Sequence, residues 1–105
     1  METILETEEF TVSGTSHPSA VQNLNRCVAF SYHLIYTNGS GTAKLQYSND
    51  IESPDSWIDI QTFNLSGDDA AMWNPPVRGA AYARILFENA DTTVVKLVFN
   101  NKKEL

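Results

Sequence analysis

The chain has 105 residues, of which 42% are hydrophobic and 19% charged, and its formal net charge is -6. This length allows one domain with a single core, and this composition excludes a largely disordered chain. Binding to a phosphate backbone depends on cations, so the acidic balance excludes nucleic acid as a direct partner. The single cysteine, Cys27, excludes an internal disulfide and a thiolate zinc cluster.

The start of the chain is acidic, with glutamates at positions 2, 6, 8 and 9. It lacks the basic and then apolar pattern of a signal peptide, and no run in the sequence is apolar enough to span a bilayer. We therefore expect no membrane partner and assembly inside a cell. Residues 1–9 are predicted to form an N-terminal acidic arm, either mobile or ordered as an edge segment against another surface, and residues 10–105 a folded domain.

The middle of the chain carries the strongest strand signal. Alternate residues share one face over residues 28–36, namely Val28, Phe30, Tyr32, Leu34 and Tyr36. Asn38-Gly39-Ser40-Gly41 then predicts a tight turn. Ala43, Leu45 and Tyr47 share a face of the next strand, over residues 43–48. Because a tight turn separates the two strands, we expect them to pair antiparallel with each other.

Weaker signals surround this pair. Strands are predicted over residues 10–12, 57–63, 80–88 and 93–100, and residues 20–24 form a strand or one helical turn. Turns or loops are predicted over residues 15–18, 49–56, 66–69, 70–78 and 89–91, the fourth because of Pro75 and Pro76. Six or seven short strands without a helical period predict an all-β fold, a single antiparallel β-sandwich that is jelly-roll-like. The predicted core contains Phe30, Leu34, Leu45, Trp57, Ile85, Leu97 and Phe99.

No predicted cluster supports catalysis or metal binding. Carboxylates at Asp50, Glu52, Asp55 and Asp59 have the chemistry for calcium or for glycoside hydrolysis, but their spacing is irregular and no apolar pocket is evident, so a solvated loop is favoured. His17 and His33 lack a neighbouring ligand, and a Cys27–His33 nucleophilic pair is held apart along one strand. We expect no enzyme activity, no cofactor and no metal.

The aromatic residues are a richer signal, because such side chains form sugar-stacking platforms, cores and subunit interfaces. Trp57 opens a predicted strand and is expected in the core. Trp73 lies in a loop with prolines and is expected to be an exposed anchor.

Several segments together resemble small virion proteins of tailed bacteriophages. They are Gly41-Thr42-Ala43-Lys44-Leu45-Gln46-Tyr47-Ser48-Asn49-Asp50, Ser56-Trp57-Ile58-Asp59-Ile60, Ala81-Tyr82-Ala83-Arg84-Ile85-Leu86-Phe87, and a closing strand that ends in Lys102. The resemblance extends over roughly residues 28–103. It implies a capsid decoration (cement) protein that binds the major capsid protein, or a domain of a tail or fibre component. The implied location is the capsid surface of a virion that assembles in the host cytoplasm.

The two ends of the chain predict how copies associate. An acidic arm from one subunit is expected to lie along a basic edge of the next, with two apolar residues adding anchorage. Decoration proteins of this kind often lie on local threefold axes, so the resemblance implies a homotrimer. The predicted partner-binding residues are Ile4, Leu5, Glu8, Glu9, Trp73, Lys102 and Lys103.

An alternative is a carbohydrate-binding module. Ser48-Asn49-Asp50 followed by Trp57 is similar to discoidin-like carbohydrate-binding domains, in which a later strand carries a Tyr and Arg pair. Trp73 distinguishes the two interpretations, because a sugar platform requires an exposed ring.

Overall fold

The computed structural model of the chain describes residues 2–75 and 79–104, apart from the side chains of residues 93 and 94. The strands are β1 (Glu2–Pro18), β2 (Gln22–Asn23), β3 (Cys27–Ser48), β4 (Ile58–Asn64), β5 (Gly67–Trp73) and β6 (Tyr82–Lys103). All strand pairs are antiparallel. The one helical element among the described residues is a short 3-10 turn at Pro54–Ser56.

Three long strands, β1, β3 and β6, each contribute to two layers. Layer 1 consists of residues 2–10, 95–103 and 27–37 and β5, in that spatial order. Layer 2 consists of residues 12–18 with β2, then residues 82–91, residues 42–48 and β4. Numbered along the chain, these eight portions lie in the order 1-8-3-6 in one layer and 2-7-4-5 in the other. This is the strand order of a jelly roll, and it confirms the predicted antiparallel β-sandwich.

Ring contacts show that the long strands fold back on themselves. Phe30 and Tyr47 are 17 positions apart on β3, which corresponds to roughly 56 Å in a straight strand. Their ring centroids are 6.0 Å apart. Phe10 and His17 of β1 are also brought together by a bend in their strand, and their rings stack with centroids 4.9 Å apart. The molecule is accordingly thin, with extents of 39 × 28 × 19 Å, as two sheets packed face to face require.

The bends occur where the backbone adopts positive φ. Asn38 has φ 51°, Gly41 has φ 86° and Asn89 has φ 48°. The register of β3 against β6 also shifts between Ser40 and Thr42, which marks a bulge. A Cβ atom at Gly41 would overlap the backbone carbonyl of Asn89. Only glycine therefore fits where β3 and β6 cross together from one layer to the other.

The core lies between the layers and is formed by alternate residues of the long strands. Layer 1 contributes Leu34, Leu97 and Phe99 and layer 2 contributes Leu45 and Ile85, all almost fully buried. With Phe30, which is also buried, these residues confirm six of the seven predicted core positions. Trp57 is the exception, because it precedes β4 and its side chain is only half-buried.

Several local predictions were wrong. Residues 28–36 and 43–48 do not form a hairpin with each other, since both are parts of β3 and both pair with β6. Residues 15–18 continue β1 instead of forming a loop. The predicted loop at residues 70–78 begins as strand β5, and residues 76–78 lie outside the described residues. Residues 2–9 of the predicted arm correspond to the edge-segment alternative, because they form the first half of edge strand β1 and pair with β6 of their own chain.

Candidate assembly surface

The outward side of layer 1 is a sheet face with neighbouring residues in register across four strands. One row runs from Thr7 through Val98 and His33 to Met72. The next row runs from Glu9 through Lys96 and Ile35 to Ala70, and the row on the other side contains Leu5, Asn100 and Ser31. We call the set of Leu5, Ile35, Met72 and Val98, with the polar residues between them, the layer 1 face.

Period-two alternation forces apolar side chains onto this face. Leu34 and Tyr36 point into the core, so Ile35 between them points outward and remains 40% exposed. Met72 precedes the buried Trp73 and is 62% exposed, and Leu5 on the edge strand is 63% exposed. Leu5 and Met72 lie on opposite edge strands of layer 1, and Val98 and Ile35 lie between them among polar residues.

A shallow groove of about 300 Å³ lies over β3 on this face, between the side chains of β5 and those of β6. Its lining residues are Ala29, Phe30, Ser31, Met72, Asn74, Asn100 and Lys102. The side-chain oxygen of Asn100 is buried there and has no hydrogen-bond partner among the described residues. Ser31, Asn74, Asn100 and Lys102 make the groove a mixed polar and apolar surface.

Three predicted partner-binding residues lie on or beside the layer 1 face. Leu5 is exposed on it, and Lys102 is exposed at its end, opposite Thr3 on β1. Glu9 lies opposite Lys96 in the register of β1 and β6. The acidic segment thus pairs with a lysine-bearing segment of its own chain, whereas the predicted contact was one between two subunits.

The remaining predicted residues point elsewhere. Ile4 and Lys103 line a small cavity of about 100 Å³ at the open end of the sandwich. Glu8 is half-buried, and both of its carboxylate oxygens accept the backbone N–H of Ala20 at 3.2 Å. The carboxylate therefore ties the link after β1 to the edge strand.

The expected exposure of Trp73 is wrong. Its side chain is only 4% exposed and packs edge-on against Phe63, with ring centroids 6.2 Å apart. Trp73 ends β5 opposite Tyr32, so period-two alternation directs it into the core. It offers no exposed ring for a sugar.

The acidic residues considered for calcium are not brought together. Asp50 is engaged within its own loop, where it accepts hydrogen bonds from Glu52 N and Ser53 Oγ. Asp59 lies on β4 and accepts a hydrogen bond from Gln46, which with Lys44 holds the pKa of its carboxyl below the usual value. Among the residues that the structure describes, no group of three or more His, Cys, Asp or Glu side chains has the arrangement to hold a metal ion.

Cys27 does not have the surroundings of a catalytic thiol. It begins β3 opposite Lys103 and is half-buried. Burial raises the pKa of the thiol, and the nearby Lys103 offsets only part of this effect. A nucleophilic cysteine requires the opposite shift.

Sequence reasoning missed Ile35, Met72 and Val98 as surface residues. The available signal was an apolar residue on the face of a strand opposite to a face already filled with core residues. Ile35 and Val98 fit this description, because Leu34, Tyr36, Leu97 and Phe99 occupy the inward face. Met72 carried no such signal, since β5 itself was not predicted.

No protein-family model matches the sequence, and no curated protein matches it. Within the described part of the chain, no helix has the length and apolar character to cross a membrane.

Solved structures do share the fold. A protein of Bacillus endospore appendages, a family of disulfide-linked pili, is 14% identical with a TM-score of 0.61, over 98% of this chain and 88% of that chain. The SPBc2 prophage-derived protein YomS is 10% identical with a TM-score of 0.59, over 96% of both chains. PirA is 14% identical with a TM-score of 0.57, over 91% of this chain and 93% of that chain. At such identities the similarity establishes a common fold spanning nearly the whole chain.

Proposed function

We propose that the chain is a non-enzymatic structural protein of a bacteriophage particle, a decoration protein that binds the major capsid protein through the layer 1 face. The observation that carries this proposal is the exposure of Leu5, Ile35 and Met72 on one sheet face, which the described residues leave uncovered. A sheet face of this kind suits assembly onto a flat partner better than capture of a small molecule.

Two further observations support an assembly role. The fold is shared with a pilus protein and with a prophage-derived protein, although a shared fold does not by itself establish a shared function. The candidates for a reactive group lack the features that catalysis requires. The pKa of the Cys27 thiol is raised rather than lowered, and among the described residues the acidic side chains form no metal-binding group.

Particle association is the direct test. Virus particles of the strain that encodes the chain are purified on a density gradient, and capsids are then separated from tails. We expect the chain to co-sediment with capsids. Recovery with tails would support a tail or fibre component instead, and absence from both fractions would overturn the proposal.

Paired variants locate the contact. Leu5→Glu and Met72→Glu place charge on the layer 1 face, and we expect each to reduce particle binding by at least about tenfold, because a charge buried in an apolar contact is costly. Ile58→Glu is the matched control, since Ile58 is 65% exposed on β4 in layer 2. Equal loss in the control would place the contact elsewhere.

The proposed oligomer is a homotrimer. The outer edge of β1 has no strand partner among the described residues, and exposed edges are commonly covered by another chain. Light scattering should give three times the 11.7 kDa of one chain. A mass of 11.7 kDa over the whole concentration range would show that the decoration protein acts as a monomer.

A further inference from the structure

The outward side of layer 2 carries an arginine whose guanidinium is oriented but mostly unused. Arg84 lies over the ring of Trp57, with Cζ 4.2 Å from the ring centroid. Its Nε donates a hydrogen bond to Oε1 of Gln46 at 2.8 Å. Among the described residues, no carboxylate lies within ion-pair distance of Arg84. The two terminal nitrogens therefore keep four N–H donors available.

Neighbouring groups hold this arrangement in place. Gln46 is only 5% exposed, and its Nε2 donates to Oδ1 of Asp59 at 2.7 Å, so both ends of the amide are engaged. Trp57 follows the 3-10 turn, which is fastened to the end of β3 by a 2.6 Å hydrogen bond between the hydroxyls of Ser48 and Ser56. The guanidinium thus loses little additional freedom when it binds an acceptor.

We propose that Arg84, stacked on Trp57, is a binding site for a carboxylate of a partner protein, namely a single exposed glutamate or aspartate side chain. A planar guanidinium with free terminal donors matches a carboxylate in a bidentate geometry. Tryptophan and arginine are also the residue types that most often anchor protein interfaces. This site lies on the opposite layer from the layer 1 face and does not depend on the function proposed above.

The surrounding charges select a single carboxylate over a polyanion. Lys44 is already paired with Asp59 at 3.3 Å and with Glu88 at 2.5 Å, so it offers no second cation. Those two acids would repel a strongly charged phosphate. Burial lowers the pKa of Arg84, as expected for a guanidinium that no carboxylate contacts directly.

Nuclear magnetic resonance titration of the full chain tests the site. The probe is the peptide acetyl-Gly-Gly-Glu-Gly-Gly-amide, and its control is the same peptide with glutamine in place of glutamate. We expect saturable shifts of the Arg84 Nε–H and Trp57 indole N–H signals with the glutamate peptide alone. The absence of such shifts, or equal shifts with both peptides, would overturn the proposal.

Two variants and a second anion sharpen the result. Arg84→Lys keeps the charge but loses the planar fork, and we expect affinity for the glutamate peptide to fall by about tenfold. Arg26→Lys is the matched control, since Arg26 is exposed near the start of β3, and its affinity should be unchanged. Unchanged affinity in Arg84→Lys would show that the peptide does not bind at Arg84. Tighter binding of inorganic phosphate than of the peptide would contradict the assignment to a carboxylate.

Discussion

The two outward faces of the sandwich differ in how their side chains are satisfied. On layer 2, Lys44 and Gln46 both donate hydrogen bonds to Asp59, and Lys44 also pairs with Glu88. On layer 1, Leu5, Ile35 and Met72 are exposed to water. A polar face with internal partners is stable in solvent, whereas an apolar face gains from being covered. Layer 2 also exposes Ile58 and Ile60 on β4, so the contrast is between the paired polar side chains of layer 2 and the apolar side chains exposed on layer 1.

The inward faces, by contrast, should be equivalent. Leu34 of layer 1 and Leu45 of layer 2 are both fully buried on β3. We expect Leu34→Ala and Leu45→Ala each to lower the free energy of unfolding by about 2–5 kcal/mol, because each leaves a cavity in the shared core. Urea denaturation followed by both fluorescence and circular dichroism measures the loss. Two separate transitions in either variant would show that the layers do not share one core.

The crossing between the layers is the next most sensitive place. Gly41→Ala should lower the free energy of unfolding by about 2–3 kcal/mol, since the added Cβ overlaps the Asn89 carbonyl and the backbone has φ 86°. Gly14→Ala is the control: its φ is 115°, but no atom lies within 4 Å of the added Cβ. We expect it to cost about 1 kcal/mol, from backbone strain alone. Equal losses would mean that strain, and not the close approach of β6, requires glycine at position 41.

The crossing also explains where sequence reasoning succeeded and failed. The alternation that predicted Phe30, Leu34, Leu45, Leu97 and Phe99 as core residues is local, and it survives in any sheet arrangement. The path of the chain at Asn38-Gly39-Ser40-Gly41 is not decided by local sequence. Whether these residues reverse the chain into a hairpin or only bend one long strand depends on where β6 pairs. Both outcomes use residues that tolerate positive φ, so the turn signal was real and its interpretation as a hairpin was wrong.

The two tryptophans show a similar limit. Pro75 made a loop the natural prediction for residues 70–78, which hid the alternation of Ala71 and Trp73 at the end of β5. Trp57 stands one residue before β4, so its place is set by the loop that precedes it. Its stacking with Arg84 joins residues from distant parts of the sequence. Met72 on the layer 1 face and the arginine site were therefore not visible from local patterns.

The polar face of layer 2 predicts a moderate and pH-dependent effect. Gln46→Leu removes hydrogen bonds to both Asp59 and Arg84, and we expect it to lower the free energy of unfolding by about 1–2 kcal/mol. The variant should also raise the pKa of Asp59 toward its ordinary value, because Gln46 is the main cause of the lowered pKa. Carbon-detected titration of the Asp59 carboxyl measures this shift.

The sign of the pH effect follows from the direction of that shift. A carboxyl whose pKa is lowered in the folded state stabilises the fold fully above its unfolded pKa of about 3.9, and this contribution is lost as the pH falls through the lower folded value. The wild type should therefore lose more stability than Gln46→Leu between pH 5 and strongly acidic pH. An identical pH dependence of unfolding in the two proteins would show that Gln46 does not tune Asp59.

The smallest expected effect concerns the layer 1 face in the isolated protein. Met72→Glu and Leu5→Glu replace exposed side chains that contribute little to the core, so we expect the free energy of unfolding to change by no more than about 0.5 kcal/mol. The same substitutions are expected to abolish most particle binding, and a large binding effect without a stability effect separates an interface from a structural surface. Urea denaturation of both variants beside Ile58→Glu measures the first quantity. A loss of several kcal/mol in Met72→Glu alone would mean that Met72 stabilises the sheet from outside, and the comparison of the two faces would then rest on Leu5 and Ile35.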